Sequence, residues 1–314
     1  MKVALIDVDG HNFPNLALMK ISRYWKNNGA TVEWYTPFDY YDIVYMSKVF
    51  TFTPDYNQCI TNAQKIEKGG TGYQMYGTNL PQEIDSLQPD YSIYHHLVDN
   101  QSAFGFLTRG CIRRCKWCIV PKKEGSLRPY MDIEEIAIEG RNKITLMDNN
   151  ILASNYGLEQ IEKIIKLNLK VDLNQDMDCR LVTDEVAQML VKVKWLKYVR
   201  FACDTSAEIE PLFKACLKLN NLGYKGDIFM NVLLTDDINE CVNRINAIKK
   251  FGITNHIRMM PFAQPYIDFE GKRNPPQWQK DMAHWCNKKS VFKSCDFKDF
   301  SPRKGFICQK HFDL

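Results

Sequence analysis

Between residues 102 and 265, short apolar runs alternate with stretches of helical periodicity, and this alternation limits the fold more than any other feature. Each apolar run is typical of a buried strand, and each intervening stretch repeats apolar residues three and four positions apart. The predicted strands are 103–108, 143–148, 170–174, 198–203, 227–234 and 256–260. The predicted helices are 133–139, 158–167, 183–193, 210–219 and 237–251, the last stopping at Gly252. Strands and helices in regular alternation indicate an α/β fold with parallel strands.

A smaller pattern of the same kind comes first in the chain. Strands are predicted at 3–7, 31–35 and 41–45, and a helix from Leu16 is predicted to end at Asn27-Asn28-Gly29. The sequence therefore predicts three parts: a small parallel α/β domain, a larger α/β domain, and a C-terminal tail or lid. We place them at residues 1–101, 102–265 and 266–314.

Composition excludes few classes of protein. The net charge of +4 is too small to indicate a nucleic-acid-binding protein by itself. No apolar run is long enough for a membrane helix, and Asp7 and Asp9 interrupt the apolar N-terminal stretch that a signal peptide would need. Eleven cysteines without a secretion signal favour a reducing compartment, so we expect a cytoplasmic protein.

Three cysteines follow the first strand of the larger domain within one short loop. Cys111, Cys115 and Cys118 have the spacing C-x3-C-x2-C, directly after a strand and a glycine. Cysteine thiolates hold iron–sulfur clusters, and three of them can bind three irons of a cubane, leaving the fourth iron open. The alternative is a zinc site. Zinc sites usually pair two C-x2-4-C units, and no clean second unit follows here.

This run resembles the motif of the radical S-adenosylmethionine (SAM) enzymes, in which the residue before the third cysteine is usually aromatic, as Trp117 is here. The resemblance implies that Cys111, Cys115 and Cys118 hold a 4Fe–4S cluster, whose open iron binds the amino and carboxylate groups of SAM. It implies that SAM is cleaved reductively to a 5′-deoxyadenosyl radical that abstracts hydrogen from a substrate. It also implies that the βα units form a partial (βα)6 TIM-type barrel.

The N-terminal domain resembles, in architecture alone, the cobalamin-binding domain that precedes many radical SAM barrels. The cobalt-ligand motif of that family, Asp-x-His-x-x-Gly, is absent, and Asp9-Gly10-His11 has the wrong spacing. We therefore expect a degenerate domain that does not bind cobalt through a histidine, with His11 exposed in a loop.

Barrel enzymes carry their active-site groups at the carboxyl ends of the strands, and this rule selects the candidate SAM-binding residues. Asp148 or Asn149 is expected to bind the SAM amino group, although these residue types also favour turns. Arg180 suits the SAM carboxylate or a substrate because its planar guanidinium makes paired hydrogen bonds; a surface ion pair is the alternative. Asn174 and Gln175 are expected to line the cavity.

Later strands add further candidates. Asp204, with Thr205 and Ser206, is placed to bind ribose hydroxyls. Asn231 is a polar residue within an apolar strand and points either into the barrel mouth or into a helix interface. The segment Met260-Pro261-Phe262 either walls the adenine or packs in the core.

The remaining cysteines and the basic residues of the loop leave several interpretations open. Cys216 and Cys241 fall on apolar helix faces and are expected in the core. Cys286, Cys295 and Cys308 have long, irregular spacings, so a packed lid is favoured over a second cluster. The basic cysteine loop either docks an acidic reducing partner such as flavodoxin or ferredoxin, attracts a phosphorylated substrate, or is simply solvated.

The sequence therefore predicts a radical SAM enzyme with an unidentified substrate. By analogy with methylthiotransferases, RNA or a nucleotide-like metabolite is weakly favoured, and a peptide or small molecule fits about as well. A non-catalytic iron–sulfur or zinc regulator is the alternative from another class. A cobalamin-dependent radical SAM methyltransferase is a third, which the missing histidine motif disfavours.

Overall fold

The structure, a computed structural model, describes residues 1–10, 12–77, 79–268 and 272–312. His11 lies outside the described residues, so its expected loop position is untested. The chain divides into two compact units: residues 1–105 with 134–141, and residues 106–133 with 142–314. Among the described residues, no helix has the length and apolar character needed to cross a membrane.

The elements of the first unit are β1 (Lys2–Asp7), α1 (Leu16–Asn27), β2 (Thr31–Trp34), β3 (Tyr41–Ser47), β4 (Ala63–Gly69), α2 (Gln82–Asp85) and β5 (Ser102–Gly105). The unit is built on a parallel four-stranded sheet in the order β2-β1-β3-β4. Its helix α1 begins at Asn15, whose side chain accepts a hydrogen bond from the Leu18 N–H, and buries one apolar face. The predicted parallel α/β arrangement of this region is confirmed.

The second unit contains the cysteine motif and most of the predicted strand–helix pairs. Its first elements are β6 (Thr108–Arg109), α3 (Val120–Lys123), β7 (Arg128–Pro129), α4 (Ile133–Ile136), β8 (Lys143–Leu146), α5 (Asn155–Lys166), β9 (Lys170–Leu173) and α6 (Asp184–Leu190). Helix α4 begins in the second unit, but its residues from 134 onward belong to the first. The others are β10 (Lys194–Trp195), β11 (Val199–Ala202), α7 (Ile209–Asn221), β12 (Ile228–Leu234), α8 (Ile238–Thr254), β13 (Met259–Pro265), α9 (Gln277–Cys286) and α10 (Lys289–Ser294).

Two parallel sheets lie within this unit. Strand β9 pairs with β8 and β10, and β12 pairs with β11 and β13. A parallel bridge between Met177 and Phe201 joins the end of β9 to β11, so the carboxyl ends of these strands point the same way. The predicted α/β class with parallel strands is therefore confirmed.

Several predicted boundaries were wrong. Helix α8 does not stop at Gly252 but continues to Thr254, and the last strand is 259–265 instead of 256–260. Gly252 is a site of close approach: a Cβ there would lie 3.0 Å from the Ile257 carbonyl oxygen. His256 makes the turn into the strand with a φ of +54°. Helix α4 is also shorter than predicted: it ends at Ile136, and the chain turns further on at Glu139 and Gly140, which both adopt positive φ.

The end of the second unit packs around aromatic side chains. Trp285 and Phe297 are fully buried, and Phe292 and Phe300 are nearly so. The segment of residues 287–312, which we call the C-terminal segment, has little regular structure: α10 and short 3-10 helices at Phe297–Asp299 and Cys308–His311. The predicted core positions of Cys216 and Cys241 are confirmed, since both are fully buried.

Candidate cluster and cofactor site

Residues 110–126, the cysteine loop, leave β6 and return to β7, which pairs with β6 in antiparallel fashion. Gly110 opens the loop with a φ of +83°, and a Cβ at this position would lie 2.3 Å from the carbonyl oxygen of Ser126. Only glycine meets both conditions without strain. The Cys111 N–H donates to the Gly125 carbonyl at 3.3 Å, so the loop closes on itself.

Glu124 holds the loop from within, a role that sequence reasoning missed. Its Oε1 accepts from Arg109 at 2.8 Å, and its Oε2 accepts from the Gly110 N–H at 2.9 Å. The Asn149 Nδ2 donates to the same Oε2 at 2.9 Å. The carboxylate thus joins both ends of the loop to the turn after β8.

The three motif thiols converge on one open pocket. Cys111, Cys115 and Cys118 are partly exposed and line a cavity of about 610 Å³ together with Arg114, Lys116, Pro121, Lys122, Gly125 and Ser126. Burial, with added effects of the neighbouring thiols, raises the pKa of Cys115 and Cys118. The Arg113 N–H donates to the Cys111 sulfur at 3.3 Å, the kind of bond that supports a thiolate ligand.

Asp148 fixes the strand that leads into the loop. Its buried carboxylate accepts from the Leu107 N–H at 3.1 Å, from the Thr108 N–H at 2.5 Å and from the Thr108 Oγ1 at 2.7 Å. Burial raises the pKa of Asp148 to about 6, although these hydrogen bonds oppose the rise. The side chain lies at the predicted place, but its oxygens already have partners.

Asn150, two residues after Asp148, has a hydrogen-bond acceptor that is not used. It is 3% exposed, and its Nδ2 lies 3.7 Å from the Cys111 sulfur. Its Oδ1 is buried without a hydrogen-bond partner among the residues that the structure describes. Buried carbonyl oxygens seldom stay unpaired, so the site suits a donor from a bound molecule. The run Asp148-Asn149-Asn150 contained this signal, but we selected only its first two residues.

Arg180 takes part in an ion network with the cysteine loop. Its Nε lies 2.6 Å from Asp178 Oδ1, and its Nη1 lies 3.3 Å from Glu208 Oε1. Arg113 of the loop binds the other oxygen of Asp178 at 2.7 Å. Although burial opposes it, the bonds from Arg180 and Arg113 hold the pKa of Asp178 below its usual value.

Asn231 lies on the face of β12 that includes Phe229 and Leu233, whereas the alternate residues are buried. Its Nδ2 donates to Asp176 Oδ2 at 2.6 Å, so its side chain points to a group at the carboxyl ends of the strands, Asp176, Asp204 and Asn231, which we call the strand-end cluster. Burial raises the pKa of Asp176 to about 7, partly offset by this bond. The other oxygen, Oδ1, is buried with no hydrogen-bond partner in the described part of the chain.

The neighbouring candidates are less engaged. Asn174 is half-buried and its N–H donates to the Leu146 carbonyl at 2.7 Å, while Gln175 is exposed. Sequence reasoning did not select Asp176, although it lies in the same loop, between the selected residues Gln175 and Arg180. Its partner comes from a strand 55 residues later, which local sequence does not indicate.

Asp204 connects the loop to the second sheet. Its Oδ2 accepts from the Trp117 Nε1 at 3.2 Å, and its Oδ1 accepts from the Leu233 N–H at 3.1 Å. Burial, followed by repulsion from Glu208, raises the pKa of Asp204. Ser206 instead donates to Glu240 at 2.6 Å. Met260-Pro261-Phe262 lies within β13 and pairs with Phe229–Asn231, instead of following the strand as predicted.

The donor set fits the group that the cysteine spacing implies. Three thiols open onto one pocket, a peptide N–H already points to one sulfur, and a buried unpaired carbonyl oxygen lies beside it. Trp117 pairs with Asp204, Asn231 pairs with Asp176, and Arg180 joins the loop through Asp178. The arrangement can hold an iron–sulfur cluster and a polar, charged ligand next to it.

Comparison with known proteins supports this assignment. A tRNA-2-methylthio-N(6)-dimethylallyladenosine synthase of Natranaerobius thermophilus is 30% identical over 97 residues, 29% of this chain and 21% of the relative. The synthase of Paraburkholderia phytofirmans is 33% identical over 86 residues, 24% of this chain and 19% of the relative. A ribosomal protein uS12 methylthiotransferase of a Synechococcus species is 28% identical over 113 residues, 34% of this chain and 23% of the relative.

These similarities are partial. The aligned segments span between 19% and 25% of the length of the relatives. No protein-family model matches the chain. The relatives are radical SAM enzymes, which use a 4Fe–4S cluster and SAM. The chain is therefore related to the radical SAM enzymes: it carries their cysteine motif and is similar, over part of its length, to the methylthiotransferases among them.

Proposed function

We propose that this chain is a radical SAM enzyme that cleaves SAM reductively and abstracts a hydrogen atom from its substrate. The observation that carries the proposal is the convergence of the Cys111, Cys115 and Cys118 thiols on one pocket beside the unpaired oxygen of Asn150. When bound on these thiolates, a 4Fe–4S cluster would supply the electron for the cleavage.

The protein's own residues would bind and orient SAM. We propose that the Asn150 Oδ1 accepts from the SAM ammonium, with Asn149 beside it and Asp148 as the positioning residue behind both. Arg180 offers a guanidinium to the SAM carboxylate, and Asp178 and Glu208 hold that guanidinium in place. This assignment transfers the predicted amino-group contact from Asp148, whose oxygens have partners, to its neighbour.

The strand ends would bind the nucleoside part and the substrate. Asp204 is the candidate for the ribose hydroxyls, and Trp117 orients it through the hydrogen bond to its carboxylate. Asn231 and Asp176 belong with Asp204 to the strand-end cluster, and Asn174 and Gln175 would lie at its rim. With a pKa near 7, Asp176 can give up or accept a proton near neutrality, which suits a residue that contacts the reacting substrate.

We also propose a role for each part of the chain. Residues 102–265 would form a partial (βα)6 TIM-type barrel, for which the bridge between Met177 and Phe201 is the supporting observation. Residues 1–101 would be a degenerate cobalamin-binding-like domain, and 266–314 a tail or lid. Arg114 and Lys116 are exposed at the pocket, so an acidic reducing partner such as flavodoxin or ferredoxin would dock there.

The substrate class follows only from the relatives. Two of the named relatives are synthases of a modified tRNA adenosine, and the third modifies ribosomal protein uS12. We propose RNA or a nucleotide-like metabolite, for which the basic pocket rim is favourable. Formation of 5′-deoxyadenosine in the presence of RNA, nucleotides or peptides would rank these classes, and stimulation by peptide alone would contradict the proposal.

Anaerobic reconstitution tests the reaction. The protein is loaded with iron and sulfide, given SAM and dithionite, and 5′-deoxyadenosine is quantified by mass spectrometry. The Cys111→Ala/Cys115→Ala/Cys118→Ala variant is run beside it, with Cys59→Ser as the matched control because that thiol is exposed and outside the motif. We expect product from wild type and the control only. A full cluster with no SAM binding, or product from the triple variant, would contradict the proposal.

A further inference from the structure

A second group of metal-binding side chains lies in the C-terminal segment and the helix before it. Asp281 of α9 meets Cys308 and His311 of the last 3-10 helix, and their potential ligand atoms all lie within 4.8 Å of one another. Asp281 is 3% exposed and Cys308 fully buried. His311 is largely buried, with 11% of its side chain exposed. None of these residues belongs to the proposed SAM site.

The geometry is close to that of a tetrahedral ion. Zinc binds Cys sulfur at about 2.3 Å and His nitrogen or carboxylate oxygen at about 2.0–2.1 Å, which separates neighbouring donor atoms by about 3.3–3.8 Å. The His311 Nε2 and the Asp281 Oδ2 are 2.9 Å apart. Side-chain movements of about 1 Å would therefore bring the three donors onto one ion.

Supporting contacts around Asp281 match those of a metal-bound carboxylate. Gln277 donates to its Oδ1 at 2.9 Å, and the Arg303 Nη1 lies 3.0 Å from Oδ1 and 2.9 Å from Oδ2. Such outer partners orient a ligating carboxylate and are common behind metal ligands. Oδ1 can keep Gln277 and Arg303, whereas Oδ2 would exchange its present contacts with Arg303 and His311 for the ion.

Another thiol is close by. Burial mainly raises the pKa of the Cys308 thiol to about 12, and the Cys295 thiol is near enough to add to the rise. Cys286, by contrast, donates to the Pro261 carbonyl at 3.5 Å and is outside the group. The predicted possibility of a second cluster on three tail cysteines is thus less well matched than a single ion with mixed ligands.

We propose that Asp281, Cys308 and His311 bind one zinc ion, which fastens the C-terminal segment to α9. The segment has one six-residue helix and two short 3-10 helices, and a metal is a common means of fixing such irregular chain. On binding, the Cys308 thiol loses its proton to solvent and a zinc–sulfur bond forms, while neutral His311 contributes a nitrogen lone pair. Cys295 lies outside the group of three, and water can complete the coordination of the ion. The site is independent of the proposed reaction.

The test removes the competing thiols first. The full-length Cys111→Ser/Cys115→Ser/Cys118→Ser variant is the parent, because the cysteine loop itself can bind zinc. Metal-free parent is titrated with zinc, passed through a desalting column and analysed for metal by mass spectrometry. We expect one zinc per chain in the parent and nearly none after adding Cys308→Ser or His311→Ala. His284→Ala is the matched control, since that histidine is exposed on α9.

A spectroscopic measurement separates ligand loss from misfolding. Cobalt bound in place of zinc gives a thiolate-to-metal absorption band, which we expect in the parent and the His284→Ala control and not in Cys308→Ser. Circular dichroism of the same samples checks the fold. Substoichiometric zinc in folded parent, or equal zinc in the parent and both ligand variants, overturns the proposal. Retention of several iron atoms per chain, when the same parent is instead reconstituted with iron and sulfide, overturns it in favour of a second cluster.

Discussion

The cysteine loop and the C-terminal segment are both short of regular structure and rich in sulfur, yet they are held in opposite ways. Within the loop, α3 has four residues, and the motif thiols are partly exposed at a pocket. Within the segment, α10 has six residues, and Cys308 is fully buried, with its N–H donating to the Phe300 carbonyl at 2.9 Å. The same residue type is thus partly exposed in one region and enclosed in the other.

The contacts that fix each region differ accordingly. Carboxylates outside the motif hold the loop: Glu124 at its ends, Asp148 before it and Asp178 through Arg113. An aromatic core fixes the segment, with Trp285 and Phe292 rings 5.0 Å apart. Polar contacts leave thiols accessible, whereas aromatic burial contributes stability at the cost of access. The comparison predicts that substitutions in the loop act on the cluster and those in the segment act on stability.

Removal of a motif thiol has the largest expected effect. Cys118→Ala should lower 5′-deoxyadenosine formation more than about a hundredfold, since outer partners of metal ligands alone contribute 10–100-fold. Iron content of the reconstituted protein should fall with it, while the melting temperature of the apoprotein changes little. Cys59→Ser, at an exposed thiol, is the control. Full activity in Cys118→Ala would remove the distinction between the two regions.

The core of the C-terminal segment should respond in the opposite way. Trp285 is fully buried, and its Nε1 donates to the Cys295 carbonyl at 3.1 Å. Trp285→Ala should lower the free energy of unfolding of the second unit by about 3–5 kcal/mol, because it leaves a cavity. Urea unfolding measures this, and iron bound per folded chain should not change. Ile253→Ala, at a residue that is 68% exposed, should have little effect.

Local sequence was enough to predict most of the strands and the cysteine motif, because both depend on neighbours in the chain, although β4, β7 and β10 were not predicted. The strands of the second unit appear close to their predicted places since apolar runs are a local signal. Gly252 shows where this fails. A glycine after a periodic stretch looks like a helix stop, but here it allows the Ile257 carbonyl to approach within the space of a Cβ.

The polar part of the site depended on contacts that are distant in sequence. Glu124 meets Asn149 across 25 residues, and Trp117 meets Asp204 across 87. Strand-end reasoning selected Asp204 because all carboxyl ends of parallel strands lie on one edge, and Asn231 was selected as a polar residue within an apolar strand. It did not select Asp176 or Asn150, since which of two adjacent polar residues keeps an unpaired oxygen depends on burial.

A smaller effect should follow from loosening the loop without touching its thiols. Glu124→Gln removes the charge that binds Arg109 and presents an amide N–H to the Gly110 N–H. We expect iron retention after desalting to fall about tenfold, the lower end for an outer partner of a metal site. Glu159→Gln, at an exposed residue of α5, is the matched control. Equal iron retention in both variants would show that the loop holds its shape without this carboxylate.

The smallest expected effect is a pH dependence from Asp176, whose pKa burial raises to about 7 from 3.8. Between about pH 3.8 and pH 7, the Asp176 carboxyl is therefore protonated in the folded protein and ionised in the unfolded chain. The contribution to stability is therefore complete below pH 3.8 and is lost as the pH rises through 7. Access of water to the half-buried side chain limits it to about 1–2 kcal/mol. Asp176→Asn should remove this slope in urea unfolding between about pH 4 and 8, and Asp299→Asn, at an exposed residue, should not. Parallel slopes in wild type and Asp176→Asn would mean that the carboxylate is as well solvated as those of the surface, and that the strand-end cluster resembles the open cysteine loop more than the closed C-terminal core.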